Sequence, residues 1–294
     1  MTSRHLQSCV NTVLKMSVAS KVTRILDVGC GDGLLIKYLA QSFSVSHPGR
    51  EIEVFGMDVH DHGVQAPGYW AKTLSLLSGT FPTIDWRQRL RLVSIADPWP
   101  YPDSYFDVVV SNQVLEHVGD HLHFFQEHRR ELSSSGTGFH LFPLHHCIIE
   151  PHLMLPLVHW VADQGRRETA IAMATRLGFG KFAGPGHERS SYAAAHSEYL
   201  EHQVNYQTQH GIAAVAAAAG LAPSFARTHF YYLQKLRSIM GRPSVETYPP
   251  SGTPAANVLA SLLRYVSSVT LELRPSGESV ARSVAAAIRQ QEDA

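Results

Sequence analysis

Three groups of residues in this chain have types and spacings suited to chemistry. The first is Asp27-Val28-Gly29-Cys30-Gly31-Asp32-Gly33. Alternating glycines let a ligand approach backbone N–H groups with no Cβ in the way, and a carboxylate heading the turn can face a cationic group. The second is Asp58, which ends the apolar run 51–58; a carboxylate there can accept hydrogen bonds from both hydroxyls of a ribose. The third is the set His145, His146, Glu150 and His152. An imidazole titrates near neutrality and can take the proton of a poor nucleophile such as an alcohol.

These residues need elements to hold them. The run VTRILDV, 22–28, reads as a strand, GCGDG as a turn and LLIKYLAQSF as a helix. Further strands are expected at 51–58, 90–96, 105–111 and 139–144, with a helix capped by Asp120 that carries Leu122, Phe125 and Leu132 on one face. Strands alternating with helices imply an α/β fold, a doubly wound and mostly parallel sheet. Pro143 ends that pattern. A helix beginning near Pro151 and helix-prone residues over 165–210, broken at 184–186, suggest an insertion over the sheet's C-terminal edge. An alanine-rich helix at 211–221, a late strand or hairpin at 224–236 with a helix after it, a linker at 249–254 and two amphipathic helices, 255–272 and 277–291, follow. The expected organisation is a leading helix at 1–20, a core at 21–145, a helical insertion or acceptor cap at 146–210, the rest of the core at 211–248 and C-terminal helices at 249–294.

The pattern Asp27, Gly29, Gly31 and Gly33 resembles motif I of the class I S-adenosylmethionine (SAM)-dependent methyltransferases, of the type 11/23-like kind. Asp58 matches the acidic residue of that family's second motif. The run SIADPWPYPDSYFDVVVSNQVLEHV resembles its third and fourth motifs. The resemblance covers roughly 20–145 and implies a seven-stranded Rossmann-like sheet with SAM as cofactor. It also implies that Asp97 faces the adenine and that Asn112, Gln113 and His117 lie near the sulfonium or the substrate. Trp99 and Tyr101 flank Asp97 and could pack near the ring; Asp103 and Asp107 suit turn and strand-entry roles. Cys30, within the turn, joins the cofactor-binding set as a small packing residue, and Cys147 is read as packing too. SAM carries an ammonium, a sulfonium and a carboxylate but no phosphate, so close backbone contact with carboxylates suits it better than a pyrophosphate cradle.

A nicotinamide-linked oxidoreductase is the alternative enzyme, but its GxGxxG/A fingerprint wants a small residue where Leu34 stands. A methyltransferase-like binding protein without turnover is another. Segment 145–160 resembles a stretch of bacterial methyltransferases of glycan and secondary-metabolite pathways, so the acceptor expected is a small molecule, a hydroxyl of a sugar or secondary metabolite. His146 or His152 is the expected general base, with His117 a further catalytic candidate. Tyr192, Tyr199 and Tyr206, seven apart and beside His196, would pack a cap helix or wall a ring-bearing acceptor. No metal is expected. Read on one helix, His152 and His159 stand about 10.5 Å apart along its axis, and no HxH, HExxH or paired-Asp pattern lies nearby.

Composition excludes some classes. Lys+Arg and Asp+Glu are both 25, so the formal charge is zero and the electrostatic footprint of a nucleic-acid binder is missing; no nucleic-acid partner is expected. Three separated cysteines give neither a disulfide framework nor a zinc motif. Residues 1–21 have no apolar core of a secretory signal, and the longest apolar run, 148–162, is interrupted by Glu150, His152 and His159. A soluble, cytoplasmic protein with no membrane span is the expectation; oligomeric state is left open.

Overall fold

A computed structural model describes residues 2–16, 22–60, 66–180, 188–249 and 254–277. Helix α1 (Thr2–Met16) leads into β1 (Val22–Val28), the glycine turn and α2 (Leu34–Ser46). Then come β2 (Glu51–Val59), α3 (Tyr69–Thr80), α4 (Trp86–Arg89), β3 (Leu90–Val93), β4 (Phe106–Asn112), α5 (His121–Glu131) and β5 (Leu132–Pro143). The insertion comprises a two-residue-per-arm hairpin, β6 (Ile149–Glu150) and β7 (Leu155–Pro156), then α6 (Gln164–Arg176) and α7 (Arg189–His202). Helix α8 (Gln209–Ala218), β8 (Leu221–Ser224), α9 (Thr228–Ile239), α10 (Pro254–Leu263) and β9 (Ser268–Pro275) complete it.

Seven strands form one sheet in the order β3-β2-β1-β4-β5-β9-β8. Only β9 runs against the rest: it is antiparallel to both β5 and β8, whereas β1, β2, β3, β4 and β5 pair in parallel. The expected mostly parallel, doubly wound sheet is therefore present, as is the capping insertion. Successive residues of the central strands serve opposite faces. Ile25, Val108, Val110, Phe139 and Leu141 pack with α1, α2 and α9; Leu26, Val109 and Phe142 pack with α5 and α8. Full burial of each such side chain contributes about 1.5–3 kcal/mol. A separate small core of Leu153, Leu155, Val158, Ile171, Ala193 and Leu200 holds the cap together. Among the described residues no helix is long and apolar enough to cross a membrane, and Cys9, Cys30 and Cys147 are free and buried.

Several sequence expectations are corrected. No helix starts at Pro151: residues 151–154 form the turn of the β6–β7 hairpin. Pro156 would fall inside such a helix, where it lacks an N–H and its ring clashes with the preceding turn. Residues 255–272 are not one helix. Helix α10 stops at Leu263, and VTLEL alternates with period two: Val269, Leu271 and Leu273 enter the core, while Thr270 bonds His5 Nε2 at 2.8 Å and Glu272 pairs with Arg227 Nε at 2.5 Å. The core thus extends to 275 rather than closing at 248. Strand β5 begins at Leu132, seven residues ahead of the expected 139–144, and β3 ends at Val93 rather than at 96. The late strand, β8, ends at Ser224, and most of 224–236 is the helix α9. On α5 the Asp120 cap holds, accepting His123 N–H at 2.9 Å, but Leu122 is exposed and Leu132 lies in β5; the buried face is His121, Phe124, Phe125 and His128. The 277–291 helix and the 184–186 break fall outside the described residues, apart from Gly277.

Leu271→Ala in β9 is expected to cost about 2–5 kcal/mol, read as a lower urea midpoint at unchanged m-value. Leu122→Ala on α5 is expected to shift stability by no more than about 0.5 kcal/mol. Equal effects would contradict the burial described.

Candidate functional site

Between β1 and β4 the strand order reverses, and ligands of open α/β sheets bind outside the carboxyl ends at that point. A cavity of about 580 Å³ opens there. It is lined by the turn after β1 and by the ends of β2, β3 and β4, with Thr2 and Ser3 of α1 and part of α5 at its margin.

The turn is tied down on one side. Gly29 and Cys30 both donate N–H to Met57 O, at 2.8 and 3.0 Å, and Gly31 donates to Asp58 Oδ2 at 2.7 Å. Thr73 Oγ1 donates to Gly31 O at 2.7 Å, and Asp32 Oδ1 accepts the Leu34 N–H opening α2. Gly29 has φ +71°, and a Cβ there would stand 2.4 Å from Val114 Cγ2. The residue is glycine for both reasons.

Asp27, Gly29, Cys30, Gly31, Asp58, Asp97, Asn112, Gln113 and His117 all line the cavity, as does Trp99. Asp27 is buried, with Oδ2 lacking any hydrogen-bond partner; burial first, then Asp58 and Asp32, pushes its pKa well above the usual carboxylate range. Asn112 Oδ1 is likewise buried without a partner. Gln113 takes φ +57° and donates its N–H to Leu141 O at 2.8 Å; non-glycine residues in that region cluster at functional sites. Asp97 is exposed and its Oδ2 closes the 94–97 turn on Ser94 N–H at 3.3 Å.

Other residues fall elsewhere. Gly33 is not in the lining; it starts α2 against Thr73 and Leu77. Tyr101 is in the core, donating O–H to Gly56 O and Arg89 O at 3.0 Å each. Asp103 pairs with Arg130 and Asp107 receives Arg24 N–H, the turn and strand-entry roles expected. Cys30 and Cys147 are buried, and burial pushes both thiols up, Cys147 to about 12, away from the thiolate form. His146 does not reach the cavity: its ring lies 5.1 Å from that of Tyr265.

His152 lies behind His117, with ring centres 5.3 Å apart. Its Nδ1 is 2.7 Å from Glu150 Oε1, which also accepts Tyr206 O–H at 2.6 Å. Burial alone would raise Glu150, but His152, Tyr206 and the Leu153 N–H together hold it below the ordinary carboxylate range. The tyrosines split up. Tyr192 and Tyr199 ride on α7, whereas Tyr206 lies beyond it; Tyr199 edges both His117 and His152. Glu116, inside the quoted LEH, has no part in the sequence reading; the signal it offers is a carboxylate next to His117, four residues past the end of β4. Glu116, His117 and His152 each offer a ligand atom within 4.8 Å of the others.

Comparison with known proteins accords with this geometry. Residues 26–139 match the family model described as a methyltransferase domain. No curated protein matches the sequence. Among solved structures, PKMT2 from Rickettsia typhi is similar at 12% identity and a TM-score of 0.50, covering 93% of this chain and 53% of that one. An S-adenosylmethionine-dependent methyltransferase from Mesorhizobium loti aligns at 15% identity and a TM-score of 0.46, covering 89% and 95%. The fold and the turn define a Rossmann-like methyltransferase architecture. Residues 26–139 therefore match a methyltransferase domain, and the sheet order and the glycine turn described above are the fold in which they do so.

Gly29→Ala is expected to lower stability by about 1–3 kcal/mol in urea unfolding. Adding Val114→Ala should recover part of the loss and leave the cost of the positive φ. Full recovery would show that space alone demands the glycine.

Proposed function

We propose that this chain transfers a methyl group from SAM to a hydroxyl of a small-molecule acceptor, of sugar or secondary-metabolite type. The observation that carries the reading is the pair of buried, unpartnered oxygens, Asp27 Oδ2 and Asn112 Oδ1, in the lining of a cavity headed by a glycine turn. An unpaired buried polar atom costs roughly 1–3 kcal/mol, and the ammonium of SAM is a donor that can satisfy it. The residues present fit the cofactor.

Asp27 takes the amino group, and the backbone of Gly29, Cys30 and Gly31 lets the methionine end approach closely; Gly33 sets the start of α2. Asp58 is held by Gly31 and Val59 N–H groups and presents its carboxylate to the ribose. Asp97 and Trp99 border the adenine, and Gln113 sits under the reacting end. Bound SAM supplies a methyl on a good sulfur leaving group. The chain's own task is then to align the acceptor, exclude water and take the hydroxyl proton. His117 faces the cavity, and His152, oriented by Glu150, stands beside it; Tyr199 supplies an aromatic edge from the cap. A domain arrangement with a SAM-binding core under an acceptor cap follows from the same placement.

Equilibrium titration of the purified chain with SAM is expected to show binding that Gly31→Arg abolishes and Asp58→Ala weakens at least tenfold. No binding at millimolar SAM would refute the reading. His152→Ala is expected to slow methyl transfer by about 10²–10⁴-fold while SAM affinity stays unchanged. The readout is mass spectrometry of cell-extract metabolites gaining a methyl group.

A further inference from the structure

Glu116 lies in the short 3-10 turn Leu115–His117 directly after β4. It is 1% exposed, and neither carboxylate oxygen has a hydrogen-bond partner. A buried bare carboxylate is costly, so a fold that keeps one leaves a proton on it or brings a cation to it. Among the described residues no lysine or arginine pairs with it; its one ion-pair contact is His152 Nε2, at 3.6 Å from Oε1.

The tautomers sharpen the point. His152 Nδ1 faces Glu150 Oε1, an acceptor that Tyr206 O–H also serves, so Nδ1 carries the hydrogen. In the neutral ring Nε2 then turns a lone pair toward the Glu116 carboxylate, and Nε2 too is buried with no hydrogen-bond partner. With Glu116 ionised, two acceptors face each other with no hydrogen between them. His117 Nδ1 is 2.6 Å from Gln203 O, so this ring also donates from Nδ1. Imidazoles that ligate a metal commonly donate their other nitrogen to a carboxylate or backbone carbonyl in this way.

The distances suit an ion. Donors bound tetrahedrally at about 2.0–2.2 Å stand roughly 3.3–3.6 Å apart, the spacing of Glu116 and His152, and His117 completes the set within 4.8 Å. We propose that Glu116, His117 and His152 form a site for one divalent transition-metal ion, with an open coordination position toward the cavity. Two histidines, one glutamate and an open position make a donor set suited to Zn²⁺ or Fe²⁺. Glu150 and Gln203 O orient the two rings. Its use in the reaction rests on the proposed function: with the ion bound both imidazoles are ligands, and the ion takes over the base's task, because an acceptor hydroxyl at the open position loses its proton to water more readily. The existence of the site does not rest on that reading.

The test uses the full chain, stripped with EDTA and dialysed, then titrated with ZnCl₂ and, separately, CoCl₂, with elemental analysis for stoichiometry. One ion per chain is expected. Glu116→Gln and His152→Gln should each weaken it at least tenfold, and Glu150→Gln by about 10–100-fold, with circular dichroism melts reporting folding. Should Glu116→Gln fail to fold, His117→Asn and the cobalt absorption of the parent carry the test. No uptake, or uptake unchanged in the ligand variants as surface histidines would give, overturns the site. SAM titration of the same metal-free protein is read separately: ion binding without SAM binding defeats the proposed function and spares the site.

Discussion

The carboxyl edge of the sheet gathers buried carboxylates, and their removal from water is the constraint around which the rest of the molecule is arranged. Asp27, Asp58, Glu116 and Glu150 are each at most 5% exposed. Two have their compensation inside the protein. Asp58 accepts two backbone N–H groups, and Glu150 accepts Tyr206, His152 and Leu153. The other two, Asp27 and Glu116, carry orphan oxygens. Desolvation is thus met inside the protein at two positions and left open at two neighbours, where it costs free energy unless a proton or a cation is supplied.

The folding architecture explains why these groups meet. Parallel strands end together at one edge, so the terminal residues of β1, β2 and β4 fall side by side across the switch point. The hairpin and helices of the cap then bring Glu150 and His152 over that edge from the far side of β5. Neither half makes the constellation alone: Glu116 and His117 come with the sheet, His152 and its supports with the insertion. Asn205 N–H to Glu116 O and His117 Nδ1 to Gln203 O staple the two together.

Much of this was legible in the residues. The turn 27–33, Asp58 and the run 94–118 have local signals, because glycine spacing and strand-end carboxylates are properties of consecutive residues. The cap was not legible in the same way. His152 was placed on a helix by Pro151, a reading that ignored the cost of Pro156 five residues on, and the distance argument against a shared ion fell with that helix. Partnerships such as Glu116–His152 or Glu150–Tyr206 span dozens of residues, and no local pattern announces them. Strand β9 was missed for a different reason: a helix and a strand abut with only four residues between, and the apolar content of 255–272 masked the change of period from 3.6 to 2.

That late strand has a consequence during synthesis. Strand β5 presents its outer edge until β9 is made, more than a hundred residues further along the chain. At ribosomal rates of about 5–20 residues per second, the bare edge persists for on the order of ten seconds. An unpaired, apolar strand margin is a template for pairing between neighbouring nascent chains. Until β9 is made, pairing of that margin between nascent chains competes with folding.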